Sequence, residues 1–324
     1  MSLKKPNRRT LMKLAALAPT LALPASAARA DITAPHAGQP AFHRFSLGQA
    51  NITVVSDGFL ELPASSLGVN ADRKEVADFL SAHYLSPEVN YAHTNHVVIE
   101  LGGHVVLVDI GSGDRFLKSA GRLLGNLKTA GIDPASITHV VITHAHPDHV
   151  WGIRDDFDEV ILPDAAFTIG AAEYDWWMTD DRVNTVPQGL QQFVAGAVNS
   201  LSTEGLEWNM AQDGHELVPG VTLIASPGHT PGHMSVMVES DGNQMLVLGD
   251  SMTHGAISFE HPEWVGGSDM DPDQTVATRK RLLDMAASER MTLVGYHFPF
   301  PGVGHVMRDQ GKYRFLPALW KWQA

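Results

Sequence analysis

The chain has 324 residues, 44% of them apolar, with 36 acidic against 23 basic side chains and no cysteine. Its formal net charge of −13 repels polyanions and so argues against nucleic acid as a substrate. The lack of thiols excludes disulfides and leaves any metal site to nitrogen and oxygen ligands.

In chain order, residues 1–30 read as an export signal rather than as part of the fold. Lys4, Lys5, Arg8, Arg9 and Lys13 form a basic head, Leu14 to Ala28 an apolar stretch, and Ala28-Arg29-Ala30 a small-residue cleavage pattern. The order Asn7-Arg8-Arg9-Thr10-Leu11-Met12-Lys13 resembles a twin-arginine signal, which exports folded proteins and would place the mature chain in the periplasm. Loss of this segment removes six Lys/Arg and no Asp/Glu, moving the charge from −13 to −19. The apolar run contains Pro19 and Pro24 and falls short of the ~20 residues a membrane span needs, and no other stretch qualifies.

Residues 31–324 show no linker or low-complexity tract and are expected to form a single domain around one large core. Phe45 to Leu62 alternates enough for one or two strands, and a helix is expected around Asp72 to Ser81. Val97 to Leu101 and Val105 to Ile110 flank Gly102-Gly103, a hairpin signal. Helical spacing runs from Asp114 to Gly131. The β-branched run Ile137 to Ile142 reads as a buried strand, followed by a short strand at Glu159 to Leu162 and helices over Asp164 to Met178 and Gln188 to Leu201. Leu217 to Ala225, Met234 to Glu239 and Met245 to Leu248 read as strands, Pro272 to Ser288 as a helix and Thr292 to Tyr296 as a last strand. This order suggests an α/β fold of two sheets packed face to face with helices outside.

Directly after the strand that ends at Ile142 comes THAHPDHVWG, which places His144, His146, Asp148 and His149 at the spacing H-x-H-x-D-H. At a strand end alternate residues share a side, so the first two imidazoles can face one ion while the next pair turns toward a second. Imidazole and carboxylate suit zinc, and also manganese, iron or cobalt. Further on, the tight loop Ser226-Pro227-Gly228-His229 delivers another imidazole, Asp250 ends a buried strand where a carboxylate would be costly without a cation, and His297 follows the strand at Tyr296.

H-x-H-x-D-H after a strand resembles the signature of the metallo-β-lactamase-fold superfamily, and the other parts follow in order: Asp109 in LVDIGSG, His229 in SPGHTPGH, Asp250 in VLGDS and His297 in GYHFPFPG. The resemblance spans roughly residues 45 to 310 and implies a four-layered αβ/βα sandwich. It further implies one metal on His144, His146 and His229, another on Asp148, His149 and His297, with Asp250 between them and Asp109 supporting the loop. Two such ions share a water, lower its pKa and present a bridging hydroxide to a carbonyl or phosphoryl centre. Asp148 and Asp250 are the residues assigned to catalysis. His233 is expected to support the site without ligating, and His254 and His305 lie near site motifs.

Departures from neighbouring groups narrow the substrate. A thiolate ligand is impossible without cysteine, a bridging aspartate is present, His146 stands where oxygen-reducing relatives tend to carry a carboxylate, and the surface is not basic as in nuclease relatives. LVDIGSGDRF, SPGHTPGHMSV, LGDSMTH and HFPFPGVGHV are similar to the methyl parathion hydrolases and their exported, lactone-cleaving relatives. That resemblance implies a binuclear zinc hydrolase acting on a small neutral lactone or aryl ester, with organophosphate triesters as side substrates. Phe116, Trp176, Trp177 and Phe193, with Leu67 and Arg73, are the candidate pocket residues, and a homodimer is allowed. Acyl-homoserine-lactone cleavage is the alternative hydrolase reading, and a non-catalytic metal-binding protein the alternative of another class.

Overall fold

The computed structural model describes residues 41–320, so the export-signal segment lies outside the described residues. Among the described residues, fourteen strands form two sheets of seven. The first sheet runs β1 (Phe42–Leu47), β2 (Ala50–Pro63), β3 (Val89–Leu101), β4 (His104–Val108), β5 (His139–Ile142), β6 (Ala166–Gly170) and β7 (Trp208–Ala211) in spatial order. The second runs from β8 (His215–Val218) through β9 (Val221–Ala225), β10 (Met234–Ser240), β11 (Asn243–Val247), β12 (Thr292–Val294) and β13 (Val303–Asp309) to β14 (Lys312–Pro317). Among the helices are α1 (Arg73–Ala82), α2 (Leu123–Thr129), α3 (Pro147–Val150), α4 (Ala171–Met178), α5 (Arg182–Thr185), α6 (Gln188–Leu201), α7 (Ile257–Glu260) and α8 (Pro272–Ser288).

Period-2 alternation makes the sheets two-faced, and the buried faces meet. Ile52, Val54, Val97, Ile99 and Val141 of the first sheet share one apolar cluster with Leu223, Val236, Val238, Met245 and Val294 of the second. On the far side of the first sheet, Leu127 of α2, Trp177 of α4 and Val194, Ala197 and Leu201 of α6 cover Val140, Ile142 and Phe167. Leu282, Leu283 and Ala286 of α8 cover Leu246 and Leu293 of the second. The result is helix, sheet, sheet, helix: the four-layered sandwich.

Several local expectations are corrected. The helix over 114–131 shrinks to α2, because the stretch before it turns on Gly113 and Gly121, both at positive φ, and is tied to Asp57, whose carboxylate accepts from the Gly121 and Leu123 amides at 3.1 and 2.6 Å. Glu159 to Leu162 makes only an isolated bridge, Arg154 to Val160, and the strand falls later at β6. Residues 166–170 therefore extend where a helix was expected, since Phe167, Thr168 and Ile169 pair in parallel with Val140, Val141 and Ile142. Leu217 to Ala225 breaks into β8 and β9 at Gly220, which has φ +83°. The terminal β13–β14 hairpin went unread, although Gln310 and Gly311, both at positive φ, form its turn.

Candidate metal centre

Four chain segments meet at one edge of the two sheets. From β5 the chain continues extended through His144 and His146, and then Pro147, at the first turn of α3, swings Asp148 and His149 round to the other side. His229 lies on the loop between β9 and β10, Asp250 in the turn after β11, and His297 just beyond β12. Each segment follows a strand that contributes side chains to the core, which fixes where its polar end emerges.

The ligand-type atoms form three overlapping groups, each within 4.8 Å: His144, His146 and His229; His144, His149 and Asp250; Asp148, His149 and His297. Together they comprise all seven residues singled out from the sequence. His146 Nδ1 lies 3.0 Å from both His144 Nε2 and His229 Nε2. Asp250 reaches both sides, with Oδ2 3.3 Å from His229 Nε2 and 3.0 Å from His297 Nε2, and Oδ1 3.4 Å from His149 Nε2. Asp148 Oδ2 sits 3.4 Å from His149 Nε2 and 3.5 Å from His297 Nε2.

In three of these histidines the opposite ring nitrogen is occupied by a fixed partner, which aims the inward one. His149 Nδ1 is 2.8 Å from Asp109 Oδ2, His229 Nδ1 is 2.8 Å from Asp269 Oδ1, and His297 Nδ1 is 2.8 Å from the His93 carbonyl. Asp109 also accepts from the Thr143 amide and hydroxyl at 2.7 and 2.8 Å, so it supports the loop as expected.

These side chains fit a pair of cations. Asp148 Oδ2, Asp250 Oδ1 and His149 Nε2 are buried without a hydrogen-bond partner, and all three face the centre of the cluster. Buried acceptors of this kind require a partner, and two carboxylates among five imidazoles match hard-to-borderline divalent ions. The electrostatics agree. Burial, with His229 close by, pushes His146 down to about 3. Burial would raise Asp148, but His149 and His297 bring it down to about 2. Burial likewise works against charge on His229, yet Asp250 and Asp269 lift it to about 9. Without ions, protons must balance the carboxylates; with ions, the same nitrogens are freed to ligate.

The other expectations divide. His233 does not join the cluster: its Nε2 accepts the Asp250 amide, so it supports the site as expected. His254 caps α7, its Nδ1 accepting from the Ala256 and Ile257 amides at 3.2 and 3.1 Å. His305 is exposed on β13 and contacts the Met291 carbonyl. Phe193 lies beside the site, 6.1 Å from the His146 ring, and packs edge-on against Phe116 at 6.1 Å and Trp151 at 6.3 Å. Trp177 is fully buried against His146 as a wall of the site, and Trp176 lies under the Arg182 guanidinium. Leu67 is buried in a separate cluster with Val76, Leu80, Ile257 and Trp264, and Arg73 donates to the Leu67 and Gly68 carbonyls; both hold the 64–72 loop in shape.

Asp269 and Tyr296 are among the supporting residues that escaped the sequence reading. Asp269 sits in a GGSDMDPD stretch that looks like turn and helix cap, and nothing local marks its contact with a histidine 40 positions earlier. Tyr296 lay inside an expected strand, yet its hydroxyl donates to the Asp148 carbonyl at 2.6 Å and its ring stacks 4.0 Å from that of His149. Its position next to His297 was the available signal.

The chain belongs to the metallo-beta-lactamase superfamily, whose family pattern matches residues 91–297. Among curated relatives, an N-acyl homoserine lactonase of a Bacillus species is 24% identical over 169 residues, 52% of this chain and 59% of that protein. N-acyl homoserine lactonase AttM of Agrobacterium fabrum is 29% identical over 181 residues, 53% of this chain and 62% of that one. The chain thus spans about three fifths of the length of these relatives. Among solved structures, the hydrolase AbOPH of the β-lactamase superfamily superposes with a TM-score of 0.79 at 25% identity, covering 87% of this chain and 99% of that one. AidC, described as a dizinc quorum-quenching lactonase, superposes at 0.77 with 23% identity over 86% and 98% of the two chains, which shows the shared fold.

Proposed function

We propose that this protein is a metal-dependent hydrolase that holds two divalent ions, zinc first among them, and opens lactone rings, with N-acyl homoserine lactones as the leading substrate class. The observation that carries this is the set of three inward buried atoms without a hydrogen bond, Asp148 Oδ2, Asp250 Oδ1 and His149 Nε2, at the meeting of the seven ligand-type side chains. His144, His146 and His229 would hold one ion, Asp148, His149 and His297 the other, and Asp250 both. When bound, such ions supply Lewis acidity and a water acidic enough to ionise near neutral pH.

The chain's own groups do the rest. Asp148 and Asp250, both held ionised at neutral pH, are the acceptors available to orient a nucleophilic water by hydrogen bonding. Trp177 excludes water from one side of His146, and Phe193 with Phe116 offers an apolar surface for the acyl or aryl part of a substrate. The lactonases among the relatives favour the lactone over a simple ester. The aromatic rings near His146 and the HFPFPGVGHV motif support aryl esters and organophosphate triesters of the methyl parathion type as secondary substrates.

The test is hydrolysis of an N-acyl homoserine lactone, an aryl lactone and methyl parathion by the zinc-loaded protein, with a chelated control. Lactone turnover abolished by chelation supports the proposal. Metal-independent turnover, or none on any of the three, refutes it. The export reading of residues 1–30 is a separate proposal, checked by whether the chain appears in the periplasmic fraction shortened by about 30 residues.

A further inference from the structure

Glu173, in the first turn of α4, is fully buried and has no cation beside it. Its carboxylate instead accepts four hydrogen bonds, two on each oxygen. Oε1 takes the Ala145 amide at 3.0 Å and the Trp177 indole N–H at 2.6 Å. Oε2 takes the Thr230 hydroxyl at 2.7 Å and the Gly232 amide at 2.9 Å. Burial raises the carboxyl above the ordinary glutamate range, and the bonds from Thr230, Ala145, Trp177 and Gly232 oppose that rise.

The positions of those donors matter. Ala145 stands between His144 and His146, Thr230 directly follows His229, and Trp177 packs its ring 5.8 Å from His146. One carboxylate therefore joins the two chain segments, one from each sheet, that bring together the three-histidine group. None of its donors adjoins the other group. Asp148 and His149 are held by Tyr296 and Asp109, His297 by the His93 carbonyl, and Asp250 by His233.

We propose that Glu173 is the positioning residue of the His144–His146–His229 group, setting the distance between its two loops and hence the affinity of that ion alone. This rests on the two-ion reading above. A buried carboxylate with four donors and no counter-ion is poorly suited to general stabilisation, since each partner replaced by a mismatch leaves an unpaired buried group. It is well suited to fixing geometry, because four bonds from three chain segments leave it one arrangement. Outer partners of metal ligands typically contribute 10- to 100-fold in metal affinity.

Glu173→Gln tests this at constant size. The amide keeps one acceptor oxygen and turns an N–H₂ toward two donors, one of them a backbone N–H. The zinc-loaded protein is dialysed, its metal content measured, and zinc release to a chromophoric chelator followed in time. Wild type is expected to hold two equivalents. Fewer than two there would overturn the two-ion reading before any variant is compared. In Glu173→Gln one equivalent should leave at least tenfold faster while the other keeps the wild-type rate. In a His297→Ala background, where the ion retained is that of the three-histidine group, adding Glu173→Gln should accelerate its release by the same factor. Unchanged release, or equal acceleration of both equivalents, overturns the proposal. Should Glu173→Gln not fold, Thr230→Val removes one donor of the four. A smaller acceleration confined to one equivalent supports the proposal, and two wild-type rates overturn it.

Discussion

His233 Nε2 accepts the backbone N–H of Asp250 at 2.9 Å, and its Nδ1 lies 2.7 Å from the Ser226 hydroxyl. The amide can only donate, so the ring is neutral with its proton on Nδ1, directed at Ser226. Burial, with His229 nearby, holds its pKa at about 3, which keeps that state throughout the neutral range. His233→Ala leaves the Asp250 amide unpaired in a buried turn and opens a cavity. A loss of about 2–3 kcal/mol in stability and about tenfold in turnover is expected. Urea melts and steady-state kinetics check both.

His146→Ala and Asp250→Ala each remove an atom from the centre of the cluster without touching the apolar layers. Turnover should fall at least a hundredfold in either variant while the circular dichroism spectrum stays native. Full activity with metal lost would refute the assignment of the site.

Removal of the ions should lower stability by mass action. At free zinc a thousandfold above its Kd, each ion contributes ~4 kcal/mol, which for a chain of this size is about 6 °C in Tm. Scanning calorimetry with chelator, and again after zinc is restored, measures it. An identical Tm in both states would contradict a buried cluster that needs cations.

His254 gives a pH dependence that variants can isolate. Burial, with His83 adding repulsion, lowers its folded pKa from 6.5 to about 4. Between those values the unfolded chain binds more protons, so the contribution is complete above pH 6.5 and is lost as pH falls toward 4. The slope is at most about 1.4 kcal/mol per pH unit. His254→Asn keeps an acceptor for the α7 amides but does not titrate. Urea melts of the chelated forms at pH 6.5, 5.5 and 4.5 should show the variant losing less stability than wild type.

Gly232→Ala places a Cβ 1.9 Å from the Glu173 amide nitrogen and 2.5 Å from the Ala172 carbonyl carbon, both backbone. Neither neighbour can yield without moving α4. A loss of about 3 kcal/mol or more is expected in thermal melts.

The seven side chains that cluster could be picked out because most of them sit in a short local pattern: a strand followed by H-x-H-x-D-H, a tight SPGH loop, a GD after an apolar run. Alternating apolar residues likewise gave away most strands that carry them. What could not be read is whatever depends on a distant partner. Glu173 lies in GAAEYDWW, where the sequence drew attention only to the tryptophans, while its donors Ala145 and Thr230 are 28 and 57 positions away. Asp57 decides where α2 begins from 64 residues upstream. The pocket residues were the weakest point, since aromatic composition does not say which ring faces a cleft. Phe193 does lie beside His146, whereas Leu67 and Arg73 hold a loop.

The ordering of the strands has a consequence for how the molecule is kept whole. The first sheet contributes His144, His146, Asp148 and His149, and the second contributes His229, Asp250 and His297, so every candidate ion spans the seam between the halves. Bound ions would give a chain without cysteine an exchangeable cross-link where many secreted proteins carry a covalent one. Thiol reductants leave such a tie untouched, and its strength follows the supply of free metal and the acidity of the surrounding medium.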